Sequence, residues 1–170
     1  MKNTGTLAVT TPTDRGIVMT RVFDAPRRLV FDAWTKPELL KRWLGVFGGW
    51  SLAVCEIDLR VGGGYRYVWR GPDGAEMGMR GVYREIVPPE RLVATESFDE
   101  PWYPGEAVDT IVLREHGGRT TATTTVLYQS REARDIALKS GMEQGVAAGY
   151  DKLAELLASQ VAQGGSSSGV

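Results

Sequence analysis

The chain has 170 residues, 42% of them hydrophobic and 24% charged, with a formal net charge of −1. That is enough for one well-buried core and too little for two domains of ordinary size. The near-neutral charge speaks against a large electrostatic footprint on nucleic acid or an anionic membrane.

Residues 1–15 are polar, Thr-rich and without period, and are expected to form a flexible leader. They lack the apolar run of a signal peptide, and no stretch approaches the roughly 20 apolar residues that span a bilayer. A cytoplasmic location is expected, which suits a reduced lone cysteine. The ordered domain is expected over residues 16–160, followed by a Gly/Ser-rich tail over 161–170.

The domain opens with the alternating strand "IVMTRVFD". "APRRLVFDAWT" follows as a short helix, with Asp24 as its N-cap and Pro26 in its first turn. Pro37 begins a second short helix, "PELLKRWLG", closed by Gly45. Six strands come next: "WSLAVCEIDL", "GYRYVWR", "EMGMRGVYREIV", "RLVATESF", "AVDTIVLRE" and "RTTATTTVLYQ". The short Gly- and Pro-bearing turns between them imply antiparallel pairing. One long helix from about Glu132 to Ser159 ends the domain. The fold class is therefore α+β, a curved antiparallel sheet with a helix laid across it.

The single cysteine and single histidine exclude an internal disulfide and the usual zinc ligand sets, so no metal or cofactor is expected. Cys55 sits in a strand interior, as a small buried hydrophobe does. His116 falls in the hairpin turn "REHGGRT", and no G-x-S-x-G stretch supplies a serine to partner it, which excludes a hydrolytic triad. "VGGGY" is followed by a strand, so it reads as a turn and not as a phosphate loop. Strand alternation places Tyr65, Tyr67 and Trp69 on one face, pointing inward. Interleaved arginines and aromatics also mark single-stranded nucleic-acid platforms, but those need exposed rings, and the charge balance opposes such a partner. Trp102 and Tyr103, in the loop "DEPWYPGE", either staple that loop to the core or line the mouth of a pocket.

Three strand carboxylates are candidate general acids or bases. On simple alternation Glu56 and Asp58 share a face with Trp50, Leu52 and Val54, and Glu96 shares one with Leu92, Ala94 and Phe98. An inward carboxylate would have a raised pKa. Outward placement, on a solvated face, is the common alternative.

The last helix carries Gly141, Gly145 and Gly149 at every fourth position. Each interior glycine costs roughly 1 kcal/mol against alanine. On a helical wheel Leu138, Met142, Leu153 and Leu156 fall in one sector, Gly145 and Gly149 lie at its centre, and Val146 lies on its edge. The missing side chains either let the helix approach the sheet closely or leave room for a ligand.

The stretches "RVFDAPRRLVFDAWTKPELLKRWLG", "DLRVGGGYRYVWRGPDG", "GVYREIVPPERLVATESF" and "SGMEQGVAAGYDKLAELLA" resemble the START-like, helix-grip domains of the SRPBCC superfamily. Within it, the nearest branch is that of homologues of the activator of heat-shock protein 90 ATPase. The resemblance implies a curved seven-stranded sheet, two short helices and a long C-terminal helix over a largely apolar cavity. Members bind lipids, polyketides, hormones or other hydrophobic molecules, and some are cyclases or dehydratases. Carried to this sequence, the pocket wall is expected at Trp43, Tyr65, Tyr67, Trp69, Phe98, Trp102, Met142, Gly145, Val146 and Gly149. It also tips the glycine face toward forming part of a cavity wall.

The leading expectation is binding of a small hydrophobic or aromatic molecule. The alternative is a cofactor-independent enzyme of cyclase or lyase type, using an inward carboxylate or tyrosine. A chaperone-interaction module is a further alternative, although the co-chaperone itself carries an additional domain for that contact, for which this chain is expected to have no room. A homodimer is a candidate assembly.

Overall fold

The computed structural model describes residues 7–167. Strands β1 (Ala8–Thr10) and β2 (Gly16–Phe23) come first, then helices α1 (Arg27–Thr35) and α2 (Pro37–Leu40). A meander follows: β3 (Ser51–Ile57), β4 (Gly64–Arg70), β5 (Glu76–Val87), β6 (Arg91–Phe98), β7 (Ala107–His116) and β8 (Arg119–Leu127). Helices α3 (Arg131–Lys139) and α4 (Met142–Ser167) close the chain. All strands form one antiparallel sheet in the order β1-β2-β8-β7-β6-β5-β4-β3. The α1–α2 segment carries the chain from β2 to the far edge, and the meander brings it back to pair β8 with β2. This is the helix-grip architecture.

The sheet has eight strands where seven are expected. The extra strand, β1, lies in the stretch read as leader and pairs with β2 from Ala8↔Thr20 to Thr10↔Val18. Buried Arg134 of α3 also holds this segment, donating from Nη1 to the carbonyl of Thr13 at 2.8 Å. Residues 1–6 and 168–170 lie outside the described residues. At the other end α4 runs to Ser167, past the expected domain end at residue 160.

Three helix boundaries depart from expectation: α2 ends at Leu40, with Lys41 as its C-cap, and residues 41–45 are turn where the helix was expected to run to Gly45. Pro26, not Asp24, is the N-cap of α1, and it offers no side-chain cap. The long C-terminal helix is two helices. α3 begins conventionally, with Ser130 Oγ accepting from Ala133 N–H at 3.1 Å. It ends at Ser140, and Gly141 takes φ +83°, a left-handed conformation that glycine adopts without a Cβ penalty. Gly141 is thus a helix terminator, and Leu138, placed by a continuous wheel on the inward stripe, is 37% exposed.

The main core lies between the sheet and the helices. From α4 it takes Tyr150, Leu153, Leu156 and Leu157; from α1, α2 and the turn after them it takes Val30, Phe31, Leu40 and Trp43. Each such leucine contributes about 1.5–3 kcal/mol through burial, which is what holds the helix to the sheet. A second cluster, Ile17, Met19, Val126, Tyr128, Ala133 and Ala137, seats α3 against β2 and β8.

Candidate functional site

Between the concave face of the sheet and the first turns of α4 lies a cavity of about 610 Å³. Drug-sized ligands typically occupy cavities of roughly this size. All ten residues expected at a pocket wall border it, from Trp43 on the α2 side through the Tyr65/Tyr67/Trp69 face to Phe98, Trp102, Met142, Gly145, Val146 and Gly149. Phe47, Met77 and Trp102 border it too and remain partly exposed, which places them where the cavity meets solvent.

The aromatic wall is rigid because its polar atoms are satisfied. Trp43 Nε1 donates to the Ala33 carbonyl and Trp69 Nε1 to the Leu44 carbonyl, each at 3.0 Å. Tyr65 donates to the Thr95 carbonyl at 2.5 Å, while Thr95 Oγ1 accepts from Val82 N–H at 2.9 Å. Tyr150 shares a hydrogen bond with Thr124 at 3.1 Å. Edge-on ring contacts knit Trp34 to Trp43 and to Tyr150 at 4.8 and 5.7 Å between centroids. Burial pushes the phenols up, Tyr83 and Tyr150 each to about 12, with Tyr65, Tyr67, Tyr103 and Tyr128 higher still. They are protonated hydroxyls at neutral pH, which removes the tyrosines as bases.

The three glycines have three separate causes. Gly141 ends α3. A Cβ on Gly145 would meet nothing within 4 Å, so this position leaves space in the cavity. A Cβ on Gly149 would lie 3.1 Å from the Trp43 carbonyl oxygen, so this position permits close approach of helix and chain. The open-space and close-packing readings of the glycine face are both realised, one turn apart.

The strand carboxylates divide. Glu56 and Asp58 are exposed, and neither reaches the cavity. The reason is a bulge between Leu52 and Val54: Leu52 pairs with inward Trp69, but beyond the bulge it is Cys55 that pairs with inward Tyr67 and Glu56 with Arg66. One extra residue reverses the alternation, and Asp58 is left on the surface, in an ion pair with Arg60 at 2.8 Å. Glu96 does border the cavity, and its Oε2 accepts from Tyr103 at 2.7 Å.

Beside Glu96 lies a residue that the strand reading overlooked. Asp109 of β7 pairs with Ala94, two residues from Glu96 along β6, so the carboxyls are diagonal neighbours on the inner face. Asp109 borders the cavity, and its Oδ1 is buried without a hydrogen-bond partner. Burial first, and then the charge of Glu96, push its carboxyl well above the ordinary value. A neighbouring carboxyl makes ionisation of Asp109 costlier still. The signal was available: Asp109 alternates with Ala107, Ile111 and Leu113, all of them buried.

Among the described residues, no group of three or more His, Cys, Asp or Glu side chains is placed to hold a metal ion. Nor is any helix long and apolar enough to cross a membrane. Cys55 is half-buried, and burial pushes its thiol up to about 11, against the opposing pull of Lys41. His116 is exposed at the tip of the β7–β8 hairpin.

The sequence profile described as "Activator of Hsp90 ATPase homolog 1-like protein" matches residues 24–158. The chain belongs to this family. It is a member of the AHSA1-like branch of the START-like SRPBCC superfamily. A crystal structure of a Rhodobacter sphaeroides protein is similar at 32% identity and TM-score 0.84, over 90% of this chain and 98% of that one. One from Nitrosomonas europaea is similar at 27% identity and TM-score 0.79, over 89% and 99%. CalU16 from Micromonospora echinospora shares the fold at 21% identity and TM-score 0.60, over 93% and 87%. No curated protein matches the chain. The AHSA1-like fold is compatible with ligand binding in a cavity.

Proposed function

We propose that the protein binds a small hydrophobic molecule with an aromatic body in the cavity between the sheet and α4. The observation that carries this reading is an aromatic-walled space of about 610 Å³ that Gly145 leaves open. Rings fixed by hydrogen bonds offer contact area without ordering cost on binding, which favours rigid planar ligands. The test is titration with N-phenyl-1-naphthylamine, an uncharged fluorescent probe. Wild-type protein is expected to bind it, and Gly145→Leu to weaken binding by about tenfold or more, as an obstructed pocket requires. Equal binding by the two proteins overturns the reading.

A second reading, proton-transfer chemistry on the bound molecule, is favoured by the placement of Glu96 beside Asp109 at the cavity wall. It replaces the exposed Glu56 and Asp58 with a pair suited to general acid and base work. Native mass spectrometry of freshly purified wild-type and Glu96→Gln proteins distinguishes the two. A retained molecule of different mass in the two proteins supports chemistry, and the same mass in both supports binding alone.

A further inference from the structure

The cavity wall is chemically lopsided. Its carboxyl groups are Glu96 and Asp109, and among the described residues bordering it there is no lysine, arginine or histidine. Buried acids normally face a counter-ion or a full set of donors. Glu96 receives one donor, from Tyr103, and Asp109 Oδ1 receives none. Buried Arg21, on β2 with β8 between it and β7, is engaged with Asp151 of α4 at 2.8 Å and does not border the cavity. The pair sets two acidic groups side by side in a largely apolar chamber, with no cation among the described residues that border it.

The rest of the wall favours the same sign of ligand. Ring faces carry negative potential and attract cations, most strongly when water is excluded. Tyr65, Tyr67, Trp69 and Tyr128 supply such rings along the sheet side of the cavity. An anionic ligand meets repulsion from both the pair and the rings. An uncharged ligand fills the volume but leaves the two acids without a cation.

We infer that the cavity selects a hydrophobic amine, with its aromatic body in the ring-walled chamber and its protonated nitrogen seated on the Glu96–Asp109 pair. This rests on the cavity-binding reading and adds to it the charge of the ligand. A primary or secondary ammonium donates two or three hydrogen bonds, enough to reach both the Glu96 carboxylate and the unpartnered Asp109 oxygen. It supplies the missing donor and the missing cation together.

The test compares three probes of one shape, 2-naphthylmethylamine, 2-naphthylmethanol and 2-naphthoic acid, by calorimetric titration of the full chain at neutral pH. The amine is expected to bind tighter than the alcohol by about tenfold or more, as a charge-assisted hydrogen bond implies, with the acid weakest. Asp109→Asn and Glu96→Gln are expected to lose the preference for the amine, read within each variant as the ratio of its amine and alcohol affinities. An alcohol that binds as tightly as the amine, or an amine preference that survives both substitutions, overturns the inference and leaves the cavity reading standing. Failure of all three probes to bind overturns both.

Discussion

Tyr103 donates its hydroxyl to Glu96 Oε2 across 2.7 Å, joining the β6–β7 loop to the polar end of the cavity. The ring also packs edge-on against Tyr128 and Trp102, at 5.0 and 4.8 Å between centroids. Tyr103→Phe keeps those ring contacts and removes only the hydroxyl. A hydrogen bond to a charged group contributes about 1.5–3 kcal/mol, so urea unfolding is expected to show a loss in that range. An unchanged midpoint would mean that water replaces the hydroxyl at no cost.

Gly145 and Gly149 are expected to respond oppositely to alanine. At Gly145 a methyl enters open space, so Gly145→Ala is expected to stabilise by about 0.5–1 kcal/mol through helix propensity. At Gly149 the same methyl presses on the Trp43 carbonyl, a backbone atom that cannot swing away. Overpacking of this kind costs about 1–3 kcal/mol, so Gly149→Ala is expected to be the less stable variant. Equal Tm shifts for the two would contradict the assignment of separate roles.

Stability should depend on pH through Asp109. Its carboxyl is raised in the folded protein by burial and by Glu96, so the folded state favours the protonated acid. Its contribution is complete below the unfolded value of about 3.9 and is lost as pH rises through the folded value. Asp109→Asn fixes the neutral form. The variant is expected to gain on wild type steadily from about pH 4 toward pH 8, read as the difference between two sets of unfolding curves. A flat difference would show that Asp109 ionises as it does in water.

Cys55 should be a slow thiol. With its value pushed up to about 11, little thiolate is present at mildly alkaline pH. Reaction with Ellman's reagent at pH 8 is expected to run about a hundredfold slower than for free cysteine, and to match it after unfolding. A fast native reaction would place the sulfur in water.

The sheet, its antiparallel meander and the inward aromatic face of β4 were legible in the sequence because strand alternation and turn chemistry are local signals. What was not legible arose where one residue changes the count. The bulge in β3 turned Glu56 outward and Cys55 inward, and a bulge has no residue signature strong enough to read in advance. A wheel drawn over residues 132–159 assumed continuity that Gly141 breaks, which misplaced Leu138. The Glu96–Asp109 pair is a contact between two strands, fixed by register, and only the diagonal across β6 and β7 makes it visible.

The one-turn separation between Gly145 and Gly149 divides α4 into two territories with different physical duties. Toward its C-terminal half, Leu153, Leu156 and Leu157 decide whether the domain holds together. Toward its start, Met142, Gly145 and Val146 border the cavity and are only partly buried. Side chains bordering the cavity can therefore be exchanged at less cost than the core leucines farther along the helix. A lineage built on this plan can change what it carries through a few codons near the head of one helix while the scaffold stays as it was.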